Sequence, residues 1–310
     1  MREHAERLEQ AITKVFLGKP RVVRLVLTGF FAQGHILLED VPGVGKTLLA
    51  RTLARAIHAS FKRIQFTPDL LPSDLLGTSV YNQRTGAFEF KPGPVFANVI
   101  LADEINRTTP RTQSALLEAM NAASISLDGV THPLPDPFLV LATQNPYEFE
   151  GTYALPESQL DRFVMRIDVG YPSREDEKRM LIDQQEHHPL DSVEPVLRAE
   201  DAREIQKRVR AIRVEDTLRD YLLSIVAATR DSRRIRIGVS PRGSGSLQHA
   251  AQAHAFLDGR DYVVPDDIKR LAVPVLAHRL VLEGAGIAED SFKERERVLR
   301  DVLDSVEVPP

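Results

Sequence analysis

A chain of 310 residues is long enough for one large domain or a large and a small one, and 43% hydrophobic residues can bury ordinary cores. Forty basic against 44 acidic residues leave a net charge of −4, so no global basic field argues for nucleic acid, and the absence of cysteine excludes disulfides and thiolate metal sites. No apolar run approaches the ~20 residues of a membrane span, and the opening MREHAERLEQ lacks the apolar core of a secretory signal, which together fit a soluble cytoplasmic protein.

Residues 1–17 read as an amphipathic helix with Leu8, Ile12, Val15 and Phe16 on one side. Pro20 can open a second helix, largely buried through Val22, Val23, Leu25, Val26, Phe30 and Phe31. The next stretch, HILLEDVPGVGKT from His35 to Thr47, organises the rest. Ile36-Leu37-Leu38 make one short buried strand, a loop with Pro42, Gly43 and Gly45 follows, and Lys46-Thr47 open a helix over 48–57. Strand, glycine loop and helix N-terminus together form an anion site, because loop N–H groups converge there and the helix dipole adds roughly half a positive charge. The pattern is that of the phosphate loop G-x-x-x-x-G-K-[ST], with Asp40 in place of its first glycine. Lys46 is placed for the β/γ-phosphates of a nucleotide and the Thr47 hydroxyl for Mg²⁺, which makes this a nucleotide-binding protein.

Further strands are expected at 61–66, 98–102 and 138–142, with a fifth at 162–169. A short helix over 70–76 precedes a hairpin turning at 82–86, a helix spans 109–122, and Asp128-Gly129 is a second hairpin turn. Gly170-Tyr171-Pro172 marks a boundary, with Ser173 and Asp176 forming a capping box for the helix that follows. Beyond it the pattern is helical, at 174–186, 200–209, 214–229, 241–257 and 265–277, interrupted by one candidate strand pair around 235–239. The fold class is α/β, a parallel sheet domain followed by a small helical domain.

Ligands of an open parallel sheet sit beyond the carboxyl ends of its strands. Asp103-Glu104 ends one strand, and two carboxylates there either cap a turn or, with a phosphate loop upstream, hold Mg²⁺ through Asp103 and activate water through Glu104. Asn145 follows the next strand, where a neutral amide either makes a turn with Pro146 or aligns a water against the γ-phosphate. Arg162, before the fifth strand, and Arg242, in a Ser240-Pro241-Arg242 helix start, are either surface arginines or groups that stabilise charge on a γ-phosphate. Expected at the far edge of the sheet from its own phosphate loop, Arg162 should act on a neighbouring subunit. The histidines, His187-His188, His249 and His254 among them, form no metal set. The basic patch Arg233, Arg234, Arg236 and Arg242 has no interleaved aromatics and reads as a solvated or intersubunit face. No N-K-x-D stretch is present to read guanine, which favours adenine as the base.

These motifs together resemble an AAA+ ATPase, and more narrowly the MoxR family, through LEDVPGVGKT, PGPVFANVILADEINR, QSALLEAM, FLVLATQNP, GTYALPESQLDRF, GYPSRE and GRDYVVPDDIKRLAVPVLAHRL. The resemblance implies a P-loop domain at 1–171 with a parallel five-stranded sheet and two β-hairpin insertions, then an all-α lid domain at 172–310. It implies ATP and Mg²⁺ as ligands, with Pro42, Gly43, Val44, Gly45, Lys46, Thr47, Leu48 and Asp103 around the nucleotide. It makes Thr47 and Asp103 the metal ligands, Glu104 the base, Asn145 the first sensor, Arg162 the arginine finger and Arg242 the second sensor. Lys19 stands where many relatives carry Gln, and Gly245 weakens the second-sensor helix by about 1 kcal/mol relative to Ala. The implied activity is ATP hydrolysis in a ring, a hexamer, that remodels or activates a partner bearing a von Willebrand A-like domain on a separate chain. The rivals are a nucleic-acid motor or loader and a small-molecule phosphotransferase. The hairpin stretches 80–92 and 124–134 hold Arg84 and Lys91 against Glu89 and Asp128, too few cations to follow a phosphate backbone.

Overall fold

The computed structural model describes residues 1–39, 41, 43–145, 151–186, 189–284 and 292–309. The strand β1 (His35–Glu39) is buried over its first four residues, as a strand covered on both faces of a parallel sheet must be. Four more strands share its sheet among the described residues: β2 (Phe61–Gln65), β5 (Val99–Asp103), β8 (Leu139–Gln144) and β9 (Phe163–Ile167). Their order is β2-β5-β8-β1-β9, all neighbours parallel.

Successive side chains of a strand point to opposite faces, so the sheet feeds two cores. Ile36, Leu38, Val99, Leu101, Leu139 and Leu141 pack beneath α1 (Arg2–Val15), α2 (Pro20–Phe31) and α3 (Lys46–Ala56). Leu37, Ile100, Ala102, Val140 and Ala142 face α4 (Pro72–Leu76) and α5 (Pro110–Ala122) through Leu75, Leu116 and Leu117. Two antiparallel hairpins project from this layer. They are β3 (Gly77–Asn82) with β4 (Ala87–Pro92), and β6 (Ser124–Leu127) with β7 (Val130–Pro133). The second turns at Asp128 and Gly129, both at positive φ, as the sequence pattern expects. Ser79 Oγ donates to Asp128 at 2.7 Å and Phe90 stacks on His132, so the hairpins lean on one another.

After the four-residue helix α6 (Glu157–Leu160) and β9, the chain runs through α7 (Arg174–Glu186), α8 (Ala199–Arg210), α9 (Asp216–Asp231), α10 (Pro241–Leu257), α11 (Pro265–Leu276) and α12 (Phe292–Ser305). Among the described residues the lid is helical apart from one short antiparallel pair, β10 (Ile235–Ile237) with β11 (Val281–Leu282); the pair expected around 235–239 has one strand there and its partner far along the chain. Its interior, including Ile205, Val209, Leu222, Leu247 and Leu271, is continuous with the core beneath α1 and α2. A chain of ion pairs reinforces that seam: Glu9 to Arg24 at 2.6 Å, Arg24 to Asp258, Asp258 to Arg260 at 3.0 Å and Arg260 to Asp267 at 2.7 Å. Burial works to raise the Asp267 pKa, yet bonds from His254, Arg260 and the Val264 N–H hold it down to about 2. His254, Asp258 and Asp267 stand close enough to share a cation, and the Arg260 guanidinium fills that role. No described helix is long and apolar enough to cross a membrane. The five expected sheet strands all form, with ends shifted by a residue or two; α6 and α12 were not foreseen.

His35 opens β1 from inside the protein. Its Nδ1 accepts from the Val140 N–H at 3.0 Å, which leaves Nε2 to donate to the Met120 carbonyl at 3.1 Å. Desolvation lowers its pKa to about 4, with the Met120 bond acting weakly the other way. The unfolded chain takes up a proton at this ring near pH 6.5 and the folded chain only near 4, so stability is full above 6.5 and is lost as pH falls through that window. We expect about 2 kcal/mol of acid destabilisation from this group, read as the difference in urea-unfolding free energy between pH 7 and pH 4.5. A His35→Gln variant should show a shallower pH slope, and an unchanged slope would refute the assignment.

Candidate functional site at the carboxyl edge of the sheet

The loop after β1 is shaped by two glycines at positive φ, Gly43 at +87° and Gly45 at +88°, where a side chain would be strained. Gly45 caps α3 in the left-handed conformation, and a Cβ there would come within 3.0 Å of the Phe16 ring. Lys46 and Thr47 are the first two residues of α3, half-buried like Val44 and Leu48 beside them, and the Lys46 Nζ donates back to the Val41 carbonyl at 3.3 Å. Pro42, also expected at the nucleotide, lies outside the described residues, as do Asp40, Pro146 and the His187-His188 pair.

Register fixes what stands next to this loop. Glu39 pairs with Gln144 and Ala102 with Ala142, so β1, β8 and β5 end side by side, roughly 5 Å apart per strand. Asn145, buried and directly after β8, therefore sits between the phosphate loop and the Asp103-Glu104 pair. Thr143 ties the pair together: its hydroxyl donates to Asp103 Oδ1 at 2.6 Å and accepts the Glu104 N–H at 2.8 Å. Glu104 is held at φ +58°, ψ 51°, a strained conformation for a non-glycine residue that concentrates at functional sites. Gln113, fully buried on α5, clamps the turn that follows by donating to the Ile105 carbonyl at 3.1 Å and the Tyr153 carbonyl at 3.0 Å.

Two residues of β2 that the sequence reading passed over meet these carboxylates. The Arg63 guanidinium bonds Asp103 Oδ2 at 3.0 and 2.6 Å and the Gln65 amide oxygen at 2.9 Å. Gln65 in turn donates to Glu104 Oε2 at 2.7 Å, and Arg107 lies 3.4 Å from the same oxygen. Arg63 and Gln65 are two apart and so share one face at the end of a strand, the signal that would have found them. The Asp103 carboxylate at the end of β5 and the Thr47 hydroxyl at the start of α3 are hard oxygen donors of the kind that Mg²⁺ takes.

Arg162 and Arg242 are elsewhere. Arg162 precedes β9, whose first residue, Phe163, pairs with His35 at the start of β1. The expectation that Arg162 lies across the sheet from its own phosphate loop is thus corrected: β9 is an edge strand, but it adjoins β1. The separation runs along the strands instead, about 13 Å from the His35 end of β1 to the end that feeds the loop. Arg162 Nη1 donates to the Leu117 carbonyl at 2.7 Å. The Asn121 amide stands between the two arginines, one terminal atom 3.3 Å from Arg242 Nη1 and the other 2.6 Å from Arg162 Nη1. The amide oxygen serves one of them in either orientation. Half-buried Arg162 and exposed Arg242 thus meet on one edge, opposite the phosphate loop.

Known proteins resemble this chain in sequence and fold. Residues 35–165 match the ATPase family associated with various cellular activities (AAA), and residues 227–302 match the AAA lid domain. The protein YeaC of Bacillus subtilis is 51% identical over 96% of this chain and 92% of its own length. Chaperone MoxR1 of Mycobacterium tuberculosis is 42% identical over 97% of this chain and 82% of its own. Protein MoxR of Methylorubrum extorquens is 33% identical over 91% and 89%. This chain belongs to the MoxR family of AAA+ ATPases. A crystal structure of a Cytophaga hutchinsonii protein assigned as an ATPase, 40% identical, superposes with a TM-score of 0.90 over 100% of this chain and 96% of that one.

Within the MoxR-type lid, Arg242 rides on α10, where the Ser240 hydroxyl caps by accepting the Gly243 N–H at 3.1 Å. Gly245 is inside the same helix, at no positive φ, and a Cβ there meets nothing within 4 Å. Gly245→Ala should therefore raise stability by about 0.5–1 kcal/mol. Thermal unfolding that shows no gain or a loss would mean that α10 needs this glycine for something besides its fold.

Proposed function

We propose that this chain binds and hydrolyses ATP with Mg²⁺ in a ring of identical subunits, in which each site is completed by two arginines of the neighbour. The observation that carries the reading is the placement of Arg162 and Arg242 together beside Asn121, at the opposite end of the strands from their own phosphate loop. In this reading loop N–H groups from Gly43 to Leu48 hold the phosphates and Lys46 neutralises the β- and γ-groups. Thr47 and Asp103 would hold Mg²⁺, which would supply positive charge against the phosphate oxygens. Glu104 takes a proton from the attacking water as its oxygen bonds to the γ-phosphorus and the β–γ bridge bond breaks, releasing ADP and phosphate. Asn145 orients that water. Arg162 and Arg242 stabilise the charge that develops, an effect worth roughly 10³–10⁵ in turnover for such groups.

Hydrolysis in this reading drives remodelling or activation of a partner protein, as the name Chaperone MoxR1 suggests for that relative. The family resemblance points to a partner with a von Willebrand A-like domain. The hairpins support a protein client over nucleic acid, since they expose Val80, Tyr81, Phe88 and Val130 and carry balanced charge.

Lys46→Ala should lose nucleotide binding, whereas Glu104→Gln should bind ATP and hydrolyse it at least ~10²-fold more slowly. Normal turnover by Glu104→Gln would remove the base assignment. Arg162→Ala should be inactive alone and regain part of the activity when mixed with inactive Lys46→Ala. Full ATPase activity in a protein that sedimentation shows to be strictly monomeric would overturn the shared site.

A further inference from the structure

Asp161, the residue before Arg162, is where the sheet domain grips the lid. Its two carboxylate oxygens each lie 3.0 Å from the Ser240 hydroxyl, and Oδ1 also accepts from Arg279 Nε at 2.9 Å. Ser240 Oγ is the same atom that accepts the Gly243 N–H and so starts α10, two residues before Arg242. One hydroxyl therefore caps the helix that carries Arg242 and, through its proton, holds that helix to the residue beside Arg162.

Arg279 makes the grip rigid. It lies in a 3₁₀ turn, Ala277–Arg279, and its side chain is 2% exposed. Its guanidinium spends its donors on the backbone at the entry to β9, at the Phe163 carbonyl (2.7 Å) and the Val164 carbonyl (3.3 Å), as well as on the Val275 carbonyl and Ser246 Oγ at 3.2 Å. A buried guanidinium needs a counter-charge, and Asp161 is the carboxylate it bonds. The fit is close: a Cβ on Gly243 would come within 2.9 Å of Arg279 Cδ. Burial lowers the Arg279 pKa to about 10, with Asp161 acting to raise it, so Arg279 stays charged at neutral pH.

We propose that Asp161 is a positioning residue that fixes Arg162 and Arg242, from two different parts of the chain, as one unit for presentation to the neighbouring subunit's nucleotide. The inference rests on the two-arginine reading above and goes further by naming what sets their mutual geometry. Arg162 and Arg242 each have a long flexible side chain, and Asn121 serves one at a time. What keeps their backbones in register is the bond set Asp161–Ser240–Arg279. A group that orders two cations before they meet a phosphate contributes to turnover and not to the grip on nucleotide in its own loop.

The test uses the full-length protein. Asp161→Asn preserves shape and can still accept hydrogen bonds while losing the charge. ATP affinity should stay within about twofold, kcat should fall at least tenfold, and mixing with inactive Lys46→Ala should restore part of the activity, because the Lys46→Ala subunit carries an intact arginine pair. Wild-type kcat in Asp161→Asn while Arg162→Ala is inactive overturns the proposal, and so does an inactive Asp161→Asn that Lys46→Ala fails to complement. Should Asp161→Asn not fold, the Ser240 pair decides. Ser240→Ala should lower kcat with ATP affinity retained, and Ser240→Thr, which keeps the hydroxyl, should restore it; equal rates for the two overturn the proposal. Full activity in Arg162→Ala itself is a different result, which removes the parent reading and leaves Asp161 nothing to position.

Discussion

The position of β8 between β1 and β5 is the constraint on which the rest depends. Parallel strands end on the same edge, so whichever strand stands between the phosphate loop and the Asp103 strand supplies the residues that fill the gap. Here that strand ends in Thr143, Gln144 and Asn145. Two strand spacings, roughly 10 Å, separate the loop from Asp103, room for a polyphosphate and its cation. The same geometry exiles the arginines. Because β9 runs parallel to β1 and pairs with it from its first residue, everything just before β9 is on the opposite edge.

That carboxyl edge holds strain and charge that the buried strands support from below. Glu104 in a left-handed conformation costs about 1–3 kcal/mol, which the Thr143 bond to its N–H and the Gln113 clamp on the following turn offset at roughly 0.5–1.5 kcal/mol per hydrogen bond. Gln113 can do this because Leu116 and Leu117, one turn on, fix α5 against the sheet. The apolar core thus sets the angle of the candidate base. At this edge Arg63 pairs with Asp103, Gln65 donates a neutral hydrogen bond to Glu104, and Arg107 lies 3.4 Å from the same Glu104 oxygen.

The parts of the fold legible in the sequence were those with a local cause. Ile36-Leu37-Leu38 could only be a strand buried on both faces, and Gly43-x-Gly45-Lys46-Thr47 turns for reasons of φ that any glycine-bearing loop obeys. Asp128-Gly129 made its hairpin for the same reason. Strand order was not legible, because no residue in β9 reports which neighbour it will take, and the argument about Arg162 failed at that step. Arg63, Asn121, Asp161 and Arg279 were passed over because their partners are far away in sequence: Asp161 to Arg279 spans 118 residues. α12 is different. Val298, Leu299, Val302 and Leu303 form a helical stripe that was there to be read, hidden by the charge of KERER before it.

The N-terminal helices, which carry none of the site residues, connect its two ends. Phe16, at the end of α1, lies against Gly45 of the phosphate loop. Three residues on, the Lys19 Nζ donates at 2.5 Å to the Tyr171 carbonyl, at the start of the passage into the lid. Further along α2, Arg24 pairs with Asp258 at the end of α10, and Gln206 of α8 donates to the Phe30 carbonyl at 2.8 Å. α1 and α2 are close-packed in the core common to sheet and lid. They touch the phosphate loop at Phe16, the entry to the lid at Lys19 and the C-terminal end of α10 at Arg24. The N-terminal end of the same helix holds Ser240 and Arg242. A single α-helix of 17 residues, about 25 Å long, therefore runs from the Arg24 contact with the N-terminal helices to the Ser240–Asp161 bond beside Arg162.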